Sequence, residues 1–349
     1  MFMSLDLPNV EETTDILPNK TSQHYIVKHK QFPEELQFIL PFDNGNSQYV
    51  RFFWHIHKTG GSYVRKVTNL GYKLRPRAMI GSEKEINTLY RRMSGIEATP
   101  EELLEANRSC HDHARKLSKA SKLGIKKPWN QKQIEGCIPF VSMALPEHRC
   151  LPKCLYYLQT PELYLSSRIF AKSPKKARVA TLLRYPIDRF ISMFTYLKTA
   201  TWEDNFNPTP LSINEYVLSG EYKKLEWSGN WVVCKLSKCG KTHFNTTTDA
   251  HLQTAKDILQ NILIGFTDKM NDFFDRIEKY WNIPSFSSRR AREKIMKLSV
   301  NVQGNKFSKN VLSPEVLSIL EDDMAHDIQL YSYARNILWD KQGQFINSL

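Results

Sequence analysis

The sequence predicts an α/β fold in which a central, mainly parallel sheet carries helices on both faces. Short apolar runs typical of buried strands occur three times, and each is followed by a stretch with helical periodicity. Hydrophobic residues make up 41% and charged residues 24% of the 349 positions, which is typical of soluble globular proteins. Composition therefore excludes fibrous and disulfide-scaffold classes.

The predicted elements follow residues 1–48, which are polar and interrupted by prolines, so we interpret them as an N-terminal extension. One domain over 49–349 follows. Its predicted strands are Tyr49–Ile56, Ala177–Leu183 and Asn261–Thr267. Its predicted helices are a stretch from Tyr63 to Leu70, then Ile187–Leu197, Ala250–Gln260, Lys269–Tyr280 and a long terminal helix from Ser313 to Trp339. Residues 73–175 are irregular and basic, and such insertions usually cover the ligand face.

The charge balance predicts an acidic partner. Lys and Arg number 49 against 36 Asp and Glu, which leaves a net charge of +13. The excess is concentrated in Arg108–Lys132 and Arg168–Arg184. Such clusters attract nucleic acid, nucleotide, acidic lipid or polyanionic glycan without choosing among them.

Cysteines and sequons bear on the compartment. The six cysteines fit either redox compartment, and their closest spacings, C-x3-C and C-x4-C, differ from the C-x2-C pairs of structural zinc sites. We therefore expect no metal. Three Asn-x-Ser/Thr sequons favour a secretory lumen: Asn19, Asn107 and Asn245. No apolar run has the length of a membrane span, and no targeting segment is recognisable in the chain as given.

A phosphate-binding loop is predicted where the first strand turns into a helix. The segment reads His55-Ile56-His57-Lys58-Thr59-Gly60-Gly61-Ser62-Tyr63. The glycines allow backbone N–H groups to approach an anion, while Lys58 adds charge and the Thr59 and Ser62 hydroxyls add donors. The loop is not a Walker A motif, because its lysine precedes both glycines. A glycine turn with a surface lysine is the alternative.

A second anion clamp is predicted where the strand Ala177–Leu183 ends. Arg184 lies at the carboxyl end of that strand, and Ser192 follows about two helical turns later, so both can reach one anion. Taken alone, this segment is an ordinary strand exit with Pro186 at the start of a helix.

These motifs resemble those of the 3'-phosphoadenosine 5'-phosphosulfate (PAPS) dependent sulfotransferases, and more narrowly the heparan sulfate 6-O-sulfotransferases. The resemblance rests first on the His-x-x-Lys-Thr-Gly-Gly loop and on the Leu-Leu-Arg-x-Pro-x-x-Arg-aromatic-x-Ser run at Leu182–Ser192, and it covers roughly residues 50–340 in order. Further matches are Ser109-Cys110-His111-Asp112-His113-Ala114, Cys137-Ile138-Pro139, Ala200-Thr201-Trp202, Gly265-Phe266-Thr267, Gln303-Gly304-Asn305 and Asp327–Ala334. The resemblance implies a P-loop-NTPase-like central sheet.

The resemblance implies transfer of a sulfuryl group from PAPS to a hydroxyl of an acidic polysaccharide, with glucosamine 6-OH of a heparan-sulfate-like chain favoured and no metal required. It implies His113 as catalytic base, with His111 as a rival, and Lys58 as the group that stabilises charge on the bridging phosphate oxygen. The implied PAPS-binding residues are His55, His57, Lys58, Thr59, Gly60, Gly61, Ser62, Tyr63, Arg184, Ser192, Gln303, Asn305 and Lys309. The implied acceptor-binding residues are Arg108, Tyr196 and Trp202.

Two segments depart from the family pattern. Tyr185 stands where an Asp is usual, and Asn305-Lys306-Phe307-Ser308 stands where the family has Asn-Ser-Thr-Arg, with Lys309 as a replacement cation. The basic insertion Lys116–Lys132 also exceeds what the family leads us to expect, which favours a different sulfated or carboxylated acceptor.

Two alternative functions stay open. One is a sulfotransferase of the same fold acting at a uronyl 2-O position or on a non-heparan glycan, and the other is a catalytically silent glycan-binding protein. A P-loop kinase or NTPase is excluded because the lysine is misplaced and no Mg²⁺-ligating strand-end Asp is recognisable. The resemblance implies no nucleic-acid partner, a Golgi location, and membrane association only through an N-terminal helix that this chain lacks.

Overall fold

The computed structural model describes residues 32–41, 49–68, 77–79, 157–171, 175–198, 209–225, 228–239, 246–283 and 312–348. All of them belong to the compact unit Gln31–Leu349. The strands within them are β1 Tyr49–Trp54, β2 Arg77–Met79, β3 Tyr157–Thr160, β4 Lys176–Leu183 and β5 Leu263–Phe266. They form a five-stranded sheet in the order β2-β3-β1-β4-β5, and every neighbouring pair is parallel. The predicted α/β class is therefore confirmed.

In the sequence, the helices lie between these strands or after the last of them. Those in the described ranges are α1 Gly61–Lys66, α2 Ser166–Phe170, α3 Pro186–Leu197, α4 Ile213–Leu218, α5 Trp231–Ser237, α6 Asp249–Leu259, α7 Met270–Tyr280, α8 Pro314–Asp323, α9 Ala325–Tyr333 and α10 Trp339–Ser348. A π-helical segment, Ala334–Leu338, joins α9 to α10. Within the described ranges, no helix combines the length and apolarity needed to cross a membrane.

The terminal helix differs from its prediction. The sequence predicts one helix from Ser313 to Trp339, whereas the structure interrupts it at Met324, where φ is −110° and ψ is 18°. Helical structure then continues to Ser348. Its start follows the predicted signals, since Pro314 takes the first helical position and the Ser313 hydroxyl accepts the Val316 N–H at 3.3 Å.

The two faces of the sheet are covered by different helices, as the alternation of side chains along each strand requires. Val50, Phe52 and Trp54 of β1 join one buried cluster, which also contains apolar side chains of α5, α6 and α9. Phe53 points the other way and joins a cluster with residues of α1, α7 and α10. Helices therefore pack on both faces, as predicted.

The segment 73–175, predicted to be irregular, contains two of the strands and α2. Strand β3 lies between β2 and β1, with all four residues buried. Its polar Gln159 accepts a hydrogen bond from the Tyr157 hydroxyl at 3.0 Å, which satisfies the amide oxygen inside the protein. A four-residue strand with a polar residue has too little apolar periodicity to be recognised from sequence.

Residues 32–41, which the sequence analysis places in the N-terminal extension, pack against β4. Leu40 donates its N–H to the Ala177 carbonyl, and Ala177 donates its own to the Phe38 carbonyl, both at 2.8 Å. The Phe38 ring stacks on Phe170 with centroids 4.5 Å apart. This segment therefore belongs to the packed core.

Gly265 of β5 permits close packing of α7 on the sheet. A Cβ atom at this position would overlap the Phe273 ring and would lie 2.8 Å from Leu182 Cδ2. We expect Gly265→Ala to lower the free energy of unfolding by about 1–3 kcal/mol through overpacking. Urea denaturation measures this change, and an unchanged midpoint would contradict close packing of Phe273 on Gly265.

Candidate functional site

The glycine loop after β1 and the Arg184 segment after β4 both lie at the carboxyl ends of the strands. Strands β1 and β4 are parallel neighbours, with Trp54 opposite Thr181, so the loops that follow them leave the same edge. The chain continues from β1 towards the β3–β2 side of the sheet, whereas it continues from β4 towards β5 on the other side. In open α/β sheets, ligands bind at the carboxyl ends of the strands where the direction reverses in this way.

The loop between β1 and α1 is a tight turn held by its own hydrogen bonds. Lys58 and Gly60 have left-handed backbone conformations, with φ of 65° and 90°. The buried Thr59 donates its hydroxyl hydrogen to the Ile56 carbonyl at 2.8 Å. The Gly60 carbonyl accepts the N–H groups of Tyr63 and Val64 at 2.9 and 3.2 Å. The Thr59 hydroxyl, predicted as a donor to the anion, thus closes the turn.

Both glycines of this loop lie in close contact with side chains. A Cβ atom at Gly60 would lie 2.7 Å from Met270 Cε, and one at Gly61 would overlap the His55 imidazole. The His55 ring therefore lies directly against the first residue of α1. Its neighbour His57 is 5.6 Å away between ring centroids, so the two predicted histidines lie side by side.

Residues after β4 contact Lys58 at both its backbone and its side chain. Arg184 Nη1 donates to the Lys58 carbonyl oxygen at 3.4 Å, and Lys58 Nζ lies 3.7 Å from the centre of the Tyr196 ring. Burial lowers the pKa of Arg184, while the charge of Asp188 opposes that shift. Ser192 and Tyr196 are four residues apart on α3 and so share one face of that helix. The structure therefore brings together Lys58, Arg184 and Tyr196.

His57 is held as a neutral imidazole. Burial lowers its pKa to about 3, and the positive charges of His55, Arg189, Lys235 and Lys58 add to the shift. Its ring lies edge-on to Trp231 at 6.1 Å. At neutral pH it can therefore act towards an anion as a hydrogen-bond donor but adds no positive charge.

The depressed pKa of His57 makes stability depend on pH. At a pH below about 6.5, the ordinary pKa of histidine, the unfolded chain binds a proton at His57 that the folded protein does not bind. The free energy of unfolding therefore decreases as the pH is lowered. We expect the free energy of unfolding to fall more steeply in the wild type than in His57→Gln, by at most about 1.4 kcal/mol per pH unit. Urea denaturation between about pH 7 and about pH 5 measures both slopes, and equal slopes would contradict the neutral assignment.

A buried ionic network lies beneath His57. Arg189 of α3 is 1% exposed, and its Nη2 lies 3.9 Å from Asp327 Oδ2 of α9. Asp327 accepts the N–H groups of Val232 and Val233 at 3.0 and 2.8 Å. The Arg189 guanidinium also lies 5.2 Å from the centre of the Trp231 ring. The network therefore joins α3, α5 and α9 below the candidate site.

Burial dominates the protonation of this network. It raises the pKa of Asp327 to about 6, although Arg189 and the two backbone N–H groups act in the opposite direction. It also lowers the pKa of Arg189. The sequence predicts no role for either residue, although both lie within the motifs that carry the family resemblance. The pairing joins residues far apart in sequence, so spacing carries no signal for it.

The remaining predicted residues have different outcomes. Tyr63 packs edge-on against Phe274, with ring centroids 5.6 Å apart. Tyr185, which stands where the family has Asp, packs edge-on against Tyr331 of α9 at 5.7 Å, a contact that requires an aromatic ring. The following lie outside the described residues: His111, His113, Arg108, Trp202, Gln303, Asn305, Lys309 and the Ser62 side chain.

Cys234 and Cys239 form a disulfide at the end of α5. Within the described ranges, no group of three or more His, Cys, Asp or Glu side chains is arranged to hold a metal ion. Bonded cysteines have no thiolate to offer a metal, so this pair supplies no metal ligand in its disulfide form.

The fold and the site define an α/β protein with a candidate anion site at the carboxyl ends of β1 and β4. No protein-family model matches this chain, and no curated protein matches its sequence. The inference of function therefore depends on the residues of the site.

Proposed function

We propose that this protein transfers a sulfuryl group from PAPS to a hydroxyl of an acidic polysaccharide, with glucosamine 6-OH of a heparan-sulfate-like chain as the favoured acceptor. One observation carries the proposal: Arg184 after β4 donates to the Lys58 carbonyl in the glycine loop after β1. The two anion-binding motifs predicted separately from sequence are therefore in contact. A nucleotide with phosphates at both its 5' and 3' positions needs two such groups of residues next to each other.

The proposal includes a P-loop-NTPase-like sheet. Its support is the glycine loop that joins the central strand β1 to α1, with parallel strands on both sides of β1. Residues 55–63 would hold the 5'-phosphosulfate, and Arg184 with Ser192 would hold the 3'-phosphate. Gln303, Asn305 and Lys309 would complete the nucleotide site, and Arg108 and Trp202 would contact the acceptor.

The proposed chemistry is an in-line displacement at sulfur. The acceptor oxygen forms a bond to sulfur while the bond between sulfur and the bridging phosphate oxygen breaks. His113 removes the proton of the acceptor hydroxyl, and 3'-phosphoadenosine 5'-phosphate leaves with the electron pair of the broken bond. Lys58 stabilises the negative charge that develops on the leaving oxygen. Neither a metal nor an oxidant is needed for the balance of this step.

The proposed compartment is the Golgi lumen, because members of the family that this sequence resembles are typically Golgi proteins. The disulfide between Cys234 and Cys239 supports an oxidising compartment, because such bonds are rare in reducing ones. The net charge of +13 supports a polyanionic acceptor.

Radiolabelled sulfate transfer from PAPS to a panel of desulfated glycosaminoglycans tests the proposal, with His113→Ala and Lys58→Ala beside the wild type. We expect label on a heparan-type acceptor, its position at glucosamine O6, and its loss in both variants. Label at a uronyl 2-O position or on another glycan would retain the mechanism and replace the acceptor.

Binding of 3'-phosphoadenosine 5'-phosphate, measured by calorimetry, separates the remaining outcomes. If the protein binds this nucleotide but labels no glycan of the panel, the panel does not contain the true acceptor. A protein that binds acidic glycan but not the nucleotide would overturn the proposed function and favour the catalytically silent glycan-binding protein.

A further inference from the structure

We propose that Tyr196 is a positioning residue for Lys58: its ring holds the lysine ammonium in place for sulfuryl transfer. The inference rests on the proposed function for its catalytic meaning. It assigns Tyr196 a different role from the acceptor contact that the family resemblance implies.

The first observation is the geometry of the pair. Lys58 Nζ lies 3.7 Å from the centre of the Tyr196 ring, well inside the range of about 6 Å in which a cation and an aromatic face attract each other. Both side chains are partly buried, so water screens this attraction less than on an open surface. The ring therefore favours one place for the ammonium.

The second observation is that the same stretch of chain holds the Lys58 backbone. Lys58 has the left-handed conformation, with φ of 65°, which surrounding contacts must maintain in a residue with a Cβ atom. Arg184 supplies such a contact through its hydrogen bond to the Lys58 carbonyl. Arg184 and Tyr196 lie before and within α3, so one helix and the residues before it hold both ends of the lysine.

The chemistry of an aromatic face suits this role. A free lysine side chain has many rotamers, and ordering it costs free energy. In a preorganised site the side chain is ordered when the protein folds, so this cost does not add to the barrier of the reaction. A carboxylate would also order the ammonium, but it would cancel the charge needed at the leaving oxygen. The neutral ring orders the ammonium and leaves its net charge intact.

Substitutions that separate the ring from the hydroxyl test the proposal through kinetics. We expect Tyr196→Leu to lower kcat about tenfold with little change in the acceptor KM, and Tyr196→Phe to restore most of the lost rate, because the ring carries the interaction. In a Lys58→Ala background, Tyr196→Leu should have no further effect, since the group it positions is gone. A raised acceptor KM with unchanged kcat would overturn the proposal and favour direct contact with the sugar.

A second measurement is independent of activity. Reductive methylation with carbon-13 labels the lysines, and Lys58→Arg identifies the Lys58 resonance by its loss. A ring-current displacement of that resonance, retained in Tyr196→Phe and lost in Tyr196→Leu, is expected, whereas an undisplaced wild-type resonance would overturn the proposal. If the wild type neither transfers sulfate nor binds the nucleotide, the proposed function fails, while this spectrum still decides whether Tyr196 holds Lys58.

Discussion

For the proposed sulfuryl transfer, Lys58→Ala is expected to lower kcat by about 10²–10³-fold, because it would remove a preorganised cation from the leaving oxygen. The dissociation constant of 3'-phosphoadenosine 5'-phosphate should rise by less, about tenfold, since Arg184 and the backbone of residues 55–63 remain. Alanine keeps a Cβ atom at this left-handed position, so the backbone conformation costs the same in both proteins. Steady-state kinetics and calorimetry measure the two effects separately.

The matched control is Lys224→Ala. Lys224 is exposed, and its ion pair is with Glu221, three residues earlier in a surface turn. Removing that pair should change neither transfer nor nucleotide affinity, because exposed ion pairs contribute little. Equal effects of the two substitutions would mean that Lys58 contributes only to overall charge, and the assignment of a catalytic lysine would then be wrong.

Arg189→Met is expected to lower the free energy of unfolding by about 3–5 kcal/mol at neutral pH, because it leaves Asp327 buried without its cation. The loss should be smaller near pH 5 than at neutral pH. A carboxyl whose folded pKa lies above its unfolded value is stabilised by protonation, and its contribution to stability decreases as pH rises through that range. The folded pKa of Asp327 is already about 6 beside Arg189, and removing the arginine raises it further.

Two further variants control for this effect. Replacing both partners, in Arg189→Met with Asp327→Asn, should recover part of the stability, since the neutral amide leaves no buried charge and its oxygen can still accept the N–H of Val232 or Val233. Arg335→Met removes an arginine whose partner Asp268 is 56% exposed, and it should cost no more than about 1 kcal/mol. Equal losses for Arg189→Met and Arg335→Met, measured by urea denaturation, would contradict a buried network.

The parts of the candidate site that could be predicted are those whose motif lies within one short segment of the sequence. The loop His55–Tyr63 follows an apolar strand and contains two glycines and a lysine within nine residues, so its position at a strand end follows from local sequence. The run from Arg184 to Ser192 behaves in the same way, because Pro186 marks the start of α3. Neither motif indicates that Arg184 bonds to the Lys58 carbonyl, since that contact depends on β1 and β4 being neighbours.

The strands that could not be predicted are those with little apolar periodicity. Strand β3 has four residues, including the polar Gln159, yet it lies beside the central strand with every residue buried. The segment 32–41 shows no sustained period, although its apolar side chains pack against the sheet through Phe170 and β4. In both cases burial comes from neighbours that are distant in sequence, and a local pattern does not report them.

The sequence by itself determined the α/β class, the positions of β1, β4 and β5, and the location at strand ends of the two motifs predicted to bind an anion. These depend on hydrophobic period, glycine and proline, which act within a few residues. Only the tertiary structure decided the order of the strands, the ion pair of Arg189 with Asp327, the neutral state of His57 and the placement of Tyr196 over Lys58. Each of these depends on burial and on contacts between segments that are distant in sequence. Neighbouring groups and burial set the pKa of a side chain and the strength of its interactions, and a local sequence pattern does not report them.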